Sequence, residues 1–327
     1  MKQENRFNSY HLAQACAVAL FTLAALAACS HDDALPQMDN GELKIVATID
    51  ASPDADVLPA GRSADTRATI DPDDGSGTFA TGDKLGLQVR GSIPVSFHVA
   101  YTIGTTVLRW DDFNGIGNEG SLGFSGTYPE NAVDNNNCFY ILRAANPDLL
   151  IAPTVTVAKG EPVHLAFRHV MHRLVVNLSG NALTADELSQ ATVRLSKSLY
   201  CCAVVDFTNA TAFTDNSAIY GDNPLTRTGA TTTFILVPQN ISSYSEKITI
   251  TAGGQELTYT FPATLPGNEG TLDTPRRLQS GRTLTLNLAI NTANRSAAAS
   301  AKPSTRATTT DDAALTLECM GITVSGW

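Results

Sequence analysis

Runs of alternating apolar and polar residues recur along this chain, and they limit its possible folds more than any other feature. In Arg282 to Ile290, for example, the apolar residues Leu284, Leu286, Leu288 and Ile290 occupy every second position. A period of two is typical of a β-strand with one buried face. Comparable runs separated by turn residues occur at 84–89, 95–103, 106–110, 138–143, 193–195, 232–237, 247–252 and 256–261. The sequence therefore predicts an all-β protein of β-sandwich type in preference to βαβ units.

The first alternating run, Glu42 to Ile49, lies between two features that look like processing signals. Its apolar face consists of Leu43, Ile45, Ala47 and Ile49. Upstream, a short apolar segment ends at Cys29, and downstream Arg67 lies in a polar segment. This position favours the hypothesis that the strand belongs to a precursor and is removed from the working protein.

The N-terminus has the composition of a secretory signal. Two basic residues, Lys2 and Arg6, precede the almost wholly apolar stretch Ala13 to Ala28, which is too short to span a bilayer comfortably. The stretch ends in Leu26-Ala27-Ala28-Cys29, which resembles the bacterial lipobox. We therefore predict a signal peptide at 1–28, acyl chains on Cys29 that anchor the chain in the outer membrane, and a polar tether at 29–40. An ordinary signal peptide with an incidental cysteine is the alternative.

A polar segment follows the first strand. Residues 51–77 are rich in Asp, Pro, Ala, Ser, Thr and Gly and contain no periodic apolar signal. Both Arg62 and Arg67 lie in this segment. An Arg in an exposed, extended segment is what an Arg-specific or trypsin-like protease requires. The sequence predicts cleavage here, with Arg67 and Arg62 as the candidate positions.

The length of 327 residues suggests two domains. We place the junction after Lys159-Gly160, which gives an N-terminal domain at 41–160 and a C-terminal domain at 161–327. Directly after the junction, the apolar phase slips between Phe167 and Leu174, which predicts a β-bulge or a strand that crosses between sheets. A short helix is predicted at Thr184 to Gln190, because Thr184 and Glu187 have the spacing of a capping box.

The last predicted strand lies at the C-terminus, within residues 313–327. Its apolar positions are Leu315, Leu317, Cys319, Ile322 and Val324, with a slip at Met320-Gly321. The preceding segment, Asn291 to Asp312, is rich in Ala, Ser and Thr and has no apolar rhythm, so a long loop is expected. A terminal strand that follows such a loop is able to leave its own sheet and reach another molecule.

Several function classes receive no support from the sequence. The net charge of −10 argues against nucleic acid as a partner. No GxSxG, GxxxxGK[ST] or HExxH motif occurs, so we predict neither catalysis nor a cofactor. We also predict no metal site, because the histidines diverge on a strand and the cysteines form no CxxC pair. The residues in question are His164, His169, His172, Cys138, Cys201, Cys202 and Cys319.

A series of short motifs resembles the fimbrillin family of Bacteroidetes, the lipoprotein precursors of type V pili. The motifs are Cys29 in its lipobox, Thr66-Arg67-Ala68-Thr69, Gly82 to Leu87, Gly126-Thr127-Tyr128-Pro129, Leu165 to Val176, Leu236-Val237-Pro238-Gln239 and Ile322 to Trp327. Their order and spacing along the chain, more than any one motif, support the resemblance.

The resemblance implies two transthyretin-like β-sandwich domains and a surface precursor that is cut after an Arg. The cut would release the strand of Leu43, Ile45, Ala47 and Ile49 and open a groove. A neighbouring subunit would fill that groove with its C-terminal strand, at Leu315, Leu317, Cys319, Ile322 and Val324. The expected partners are other fimbrial subunits and a host or bacterial surface ligand. A glycan-binding surface lipoprotein that keeps its lipid anchor is the alternative.

Overall fold

The computed structural model describes residues 41–50, 68–70, 75–117, 120–143, 147–221, 225–271, 273–292 and 314–327. The predictions for the signal peptide, for Cys29 and its tether, and for Arg62 and Arg67 fall outside these residues. Most of the predicted loop at Asn291 to Asp312 also falls outside them.

The described residues are almost all β-structure, which confirms the predicted fold class. In the first half of the chain the strands are β1 (Glu42–Leu43), β2 (Ile45–Ile49), β3 (Thr69–Ile70), β4 (Gly77–Thr78), β5 (Lys84–Arg90), β6 (Ser96–Thr102), β7 (Leu108–Arg109), β8 (Ser121–Tyr128), β9 (Cys138–Tyr140) and β10 (Leu150–Ala158). In the second half they are β11 (Val163–His169), β12 (His172–Ser179), β13 (Thr192–Arg194), β14 (Cys202–Asp206), β15 (Thr211–Thr214), β16 (Thr226–Thr228), β17 (Thr231–Leu236), β18 (Lys247–Ala252), β19 (Gln255–Thr260), β20 (Arg282–Thr292) and β21 (Leu315–Gly326).

Helical structure is confined to short pieces among the described residues. The predicted helix is α1 (Ala185–Gln190), and its capping box is confirmed. The backbone N–H of Glu187 donates to Thr184 Oγ1 at 3.3 Å, and the Thr184 N–H donates to Glu187 Oε2 at 2.8 Å. Two 3-10 helices, Trp110–Phe113 and Ile141–Arg143, replace the ends of the predicted strands at 106–110 and 138–143.

The strands form several sheets. The largest has the order β3-β4-β2-β11-β10-β8-β5-β6. Two four-stranded sheets have the orders β17-β12-β20-β21 and β16-β13-β18-β19, and smaller sheets contain β15-β14-β9 and β1-β7. Most neighbouring strands are antiparallel, but β2 runs parallel to β11 and β12 runs parallel to β20.

The slip between Phe167 and Leu174 is a crossing between two sheets. Strand β11 lies in the eight-stranded sheet, whereas β12 lies in the sheet with β17 and β20. The connecting residues Val170 and Met171 are fully buried. The buried positions are odd-numbered before this connection and even-numbered after it, because the chain changes sheets there.

The buried apolar residues form two clusters. The first contains residues between Leu43 and Phe167, and the second contains residues between Phe139 and Trp327. The clusters overlap in sequence, since Phe139 and Ile151 precede Gly160 but belong to the second cluster. The described residues between 42 and 327 form a single compact unit. The boundary after Gly160 and the transthyretin-like character of each domain therefore stay predictions.

Strand β8 is an inner strand that the alternation of the sequence did not predict. It lies between β10 and β5 in the eight-stranded sheet. A Cβ atom at Gly126 would lie 2.6 Å from Cζ of Phe167, closer than any real contact. Phe167 is fully buried. The glycine therefore makes room for this aromatic ring in the first cluster.

Candidate assembly site

The first strand of the described chain is held inside the largest sheet. Strand β2 lies between β11 and β4, with Ile45 beside Val163 and Ile49 beside both Phe167 and Gly77. At its ends, the Val163 N–H donates to the Lys44 carbonyl at 2.8 Å, and the Asp50 N–H donates to the Phe167 carbonyl at 2.9 Å. Withdrawal of β2 would leave one edge of β11 without a backbone partner.

The apolar face of β1 and β2 points into the first cluster. Leu43 and Ile49 are buried, and Ile45 and Ala47 are half-buried and pack against the same cluster. The strand and its inward face are therefore as the sequence predicts, apart from a break at Lys44. Removal of these four side chains would open an apolar groove along β11.

The residue that follows the candidate cleavage position Arg67 is Ala68. Ala68 is half-buried and packs against the first cluster, and Thr69–Ile70 form β3. Strand β3 pairs with β4, which in turn pairs with β2. A cut after Arg67 would leave Ala68 as the first residue of a chain that still contains the β3-β4 hairpin.

A cluster around His169 lies at the end of β11, the strand that holds β2. One ring nitrogen of His169 contacts the Asp148 carboxylate at 3.0 Å, and the other faces the Gly75 carbonyl at 2.9 Å. The Trp327 ring stacks on the imidazole with centroids 4.3 Å apart. His169 is therefore a packed, hydrogen-bonded residue. The cluster joins the segment after the predicted cut to the C-terminal residue.

The three histidines at 164, 169 and 172 lie on two strands: His164 and His169 on β11, and His172 on β12 in another sheet, so the spacing rule for a single strand does not apply to His172. His164 is exposed, whereas His169 and His172 are buried. His172 Nδ1 faces the Gln279 carbonyl at 2.9 Å, and its Nε2 has no hydrogen-bond partner among the described residues.

The burial of His172 predicts a loss of stability in acid. Burial lowers its pKa to about 4, although the Gln279 carbonyl acts in the opposite direction. The unfolded chain therefore binds more protons than the folded chain between about pH 6.5 and pH 4. We expect the free energy of unfolding, measured with urea, to be roughly 2–3 kcal/mol lower at pH 4.5 than at pH 7 from this group. The variant His172→Gln should weaken this dependence, and His164→Gln should retain it. An unchanged pH dependence in His172→Gln would contradict the assignment.

The C-terminal strand occupies its own sheet in this structure. Strand β21 is antiparallel to β20 from Leu315 beside Thr292 to Gly326 beside Arg282, and it forms the edge of its sheet. Four of its apolar residues, Leu315, Leu317, Ile322 and Val324, are half-buried against the second cluster. Cys319 lies opposite Leu288, on the same face as Leu317 as predicted, but its side chain is exposed, and a bulge at Met320 follows it. To act on another molecule, this strand would first have to leave β20.

Sequence reasoning missed one group of neighbouring side chains, Cys138, Cys202 and Asp215. The pairing of β9 with β14, and of β14 with β15, brings these residues together. They are too far apart in sequence to form a recognisable motif, so only the strand register reveals them.

Among the described residues, no helix is both long enough and apolar enough to cross a bilayer.

Comparison with known proteins supports the resemblance in the sequence. The family model described as fimbrillin-like matches residues 116–311, more than half of the chain. No curated protein sequence matches the chain significantly. The crystal structure of a proposed cell adhesion protein of Bacteroides uniformis is similar with a TM-score of 0.54 and 13% identity, over 88% of this chain and 98% of that one. At this identity the similarity establishes the fold alone.

A second similar structure is a proposed cell adhesion protein of Bacteroides ovatus. Its TM-score is 0.47 at 14% identity, over 88% of this chain and 97% of that one. The family model, which covers residues 116–311, carries the assignment. The chain belongs to the fimbrillin-like family.

Proposed function

We propose that this protein is a fimbrial structural subunit or tip adhesin that assembles by strand exchange. Membership of the fimbrillin-like family supports a fimbrial or adhesive role at the cell surface. In the proposal, the precursor is exported as a lipoprotein through Cys29 and cut after Arg67 or Arg62. The protein itself has no catalytic role. Its partners are other fimbrial subunits, the processing protease and a surface ligand.

The observation that carries the proposal is the position of β2. It is an inner strand of the largest sheet, yet the chain that links it to β3 contains both candidate cleavage positions. After a cut in this link, non-covalent contacts alone would hold the strand of Leu43 to Ile49. Its loss would expose the edge of β11 and the apolar groove, a combination that favours the addition of a strand from another chain.

The apolar pattern of β21 supports it as the incoming strand. Leu315, Leu317 and Cys319 are spaced two residues apart, as are Leu43, Ile45 and Ala47. In both series the first two side chains are large and the third is small. In this register, Cys319 of the incoming strand takes the place of Ala47, beside Leu165 of the accepting subunit.

The experiment that tests this function is N-terminal analysis of the protein recovered from assembled surface polymers. We expect the polymerised chain to begin at Ala68 after a cut at Arg67, or at Ser63 after a cut at Arg62. The precursor fraction in the membrane should begin at acylated Cys29. If every surface molecule begins at acylated Cys29, the protein keeps its anchor, and a glycan-binding surface lipoprotein replaces the fimbrial subunit as the conclusion.

A further inference from the structure

Two thiols and one carboxylate lie together on the small sheet β15-β14-β9. In β9 and β14, Cys202 lies beside Tyr140, and Val204 lies beside Cys138. These four side chains share one face, because alternate residues of a strand point the same way. Asp215 directly follows β15, and its N–H approaches the Cys202 carbonyl at 3.5 Å. The Sγ atoms of Cys138 and Cys202 and a carboxylate oxygen of Asp215 all lie within 4.8 Å of one another.

Hydrogen bonds hold two of these groups in place. Both oxygens of the Asp215 carboxylate accept hydrogen bonds from Ser217: the N–H donates at 2.8 Å and the hydroxyl at 2.6 Å. The backbone N–H of Cys138 donates to the Asp134 carboxylate at 2.9 Å. Such contacts orient potential metal ligands before a metal arrives.

The three groups also have suitable exposure for a bound ion. Cys202 is fully buried, whereas Cys138 and Asp215 are half-buried at the surface. The adjacent Cys201 points to the other face of β14 and belongs to the second apolar cluster. The site is thus shielded on the Cys202 side and accessible on the side of the other two groups.

We propose that Cys138, Cys202 and Asp215 form a zinc-binding site. Thiolate sulfur with carboxylate oxygen suits a borderline-soft cation such as Zn²⁺ better than Mg²⁺ or Ca²⁺. In a tetrahedral site with Zn–S bonds of about 2.3 Å, the two sulfur atoms lie about 3.8 Å apart. Small side-chain movements achieve this from the observed arrangement. A water molecule completes the coordination, and the two thiol protons pass to solvent when the ion binds.

A disulfide is the competing use of two neighbouring thiols, and the strand register disfavours it. Cys138 lies opposite Val204, so Cys138 and Cys202 are diagonal neighbours across the pair. The Cα atoms of diagonal neighbours are about 7–8 Å apart, beyond the usual range for a disulfide of about 4.4–6.8 Å. A metal ion bridges this separation without movement of the backbone. The bound ion would fix β9 to β14 and to the segment after β15.

Metal titration of the full chain tests the site. The protein is purified under reducing, anaerobic conditions, treated with a chelator and titrated with Zn²⁺ by calorimetry. We expect one ion per chain, release of protons and a rise of the melting temperature by several degrees. With Co²⁺ as the probe, we expect the charge-transfer band of a thiolate ligand and the intense visible bands of tetrahedral cobalt.

Matched variants separate this site from other thiols. We expect Cys138→Ser, Cys202→Ser and Asp215→Asn each to weaken zinc binding by about 100-fold or more. The controls Cys319→Ser and Cys201→Ala should keep one ion with unchanged affinity. Circular dichroism and the metal-free melting temperature show which variants are folded, and the surface residue Asp215 provides a test if Cys202→Ser unfolds.

Three results would overturn the proposal. One is the absence of stoichiometric zinc binding by the reduced protein. Another is unchanged binding in folded Cys138→Ser or Asp215→Asn. The third is a Cys138–Cys202 disulfide in protein isolated from cells, detected by mass spectrometry as the loss of two hydrogens. Polymer formation is not part of this experiment, so its outcome is independent of the proposed assembly role.

Discussion

A chain that carries both Arg62→Ala and Arg67→Ala is expected to reach the cell surface and form no polymers. Strand β2 would remain joined to the rest of the chain through residues 51–67. A tethered strand competes from within the molecule, at a local concentration on the order of millimolar, against a strand from a dilute neighbour. The groove along β11 would therefore stay filled. Electrophoresis without boiling, which preserves polymers as a ladder, should show monomers alone.

The single variants and one control identify the Arg after which the chain is cleaved. If Arg67 is the cleavage position, Arg67→Ala alone should remove the ladder and Arg62→Ala should retain it. Arg306 lies in Thr305-Arg306-Ala307-Thr308, the same four residues as around Arg67, so Arg306→Ala is a matched control that should polymerise normally. A ladder that persists in the double variant would show that release of the first strand is not required. Loss of the ladder in Arg306→Ala would show that polymer formation requires cleavage in the C-terminal segment instead.

The sequence predicted the strands whose two faces differ most in polarity. Strand β20 alternates strictly in sequence, and Leu284, Leu286, Leu288 and Ile290 are all buried, although Thr283 and Ala289 on the other face are buried as well. Strands β8 and β10 were missed for a physical reason. Strand β8 contains glycines such as Gly126, whose space is filled by Phe167, and β10 has three consecutive fully buried residues, Leu150–Ala152. Neither pattern can be distinguished from a loop or a buried segment without knowledge of the neighbouring strands.

The candidate site was predictable where it depends on local pattern. The inward face of Leu43, Ile45, Ala47 and Ile49 follows from the period of two. The partner strand of β2 does not follow from this pattern, because nothing in the sequence specifies that β2 runs parallel to β11. The stacking of Trp327 on His169 likewise joins residues far apart in the chain. Such pairings depend on the tertiary arrangement, so the sequence alone could not place β21 in its own sheet.

Strand β21 pairs with β20 in its own sheet, and this pairing limits what a deletion experiment can show. Removal of Leu315 to Trp327 would strip the edge from β20 and remove the buried Trp327. Such a variant would lose polymers through unfolding as readily as through loss of a donor strand. A test that keeps the strand intact is therefore needed to identify it as the donor.

Leu165→Cys is expected to form a disulfide with Cys319 of the neighbouring subunit. In the proposed register Cys319 replaces Ala47, which lies directly beside Leu165. Adjacent strands are about 4.8 Å apart, within the range of Cα separations in disulfides. Mild oxidation of assembled polymers should then give a ladder that survives boiling and collapses on reduction. Replacement of the buried Leu165 costs about 2 kcal/mol, which a stable domain tolerates, and a thermal melt checks this.

Two control variants test whether the cross-link depends on the proposed register. Ala166→Cys points to the opposite face of β11, so it should polymerise without forming a boiling-resistant ladder. Leu165→Cys combined with Cys319→Ser should also lack the cross-link, which excludes Cys138, Cys201 and Cys202 as partners. Polymers that form normally in Leu165→Cys without a cross-link would show that another strand or another register fills the groove. A cross-link from Ala166→Cys but not from Leu165→Cys would place the incoming strand one residue out of step, with its apolar face directed away from the core.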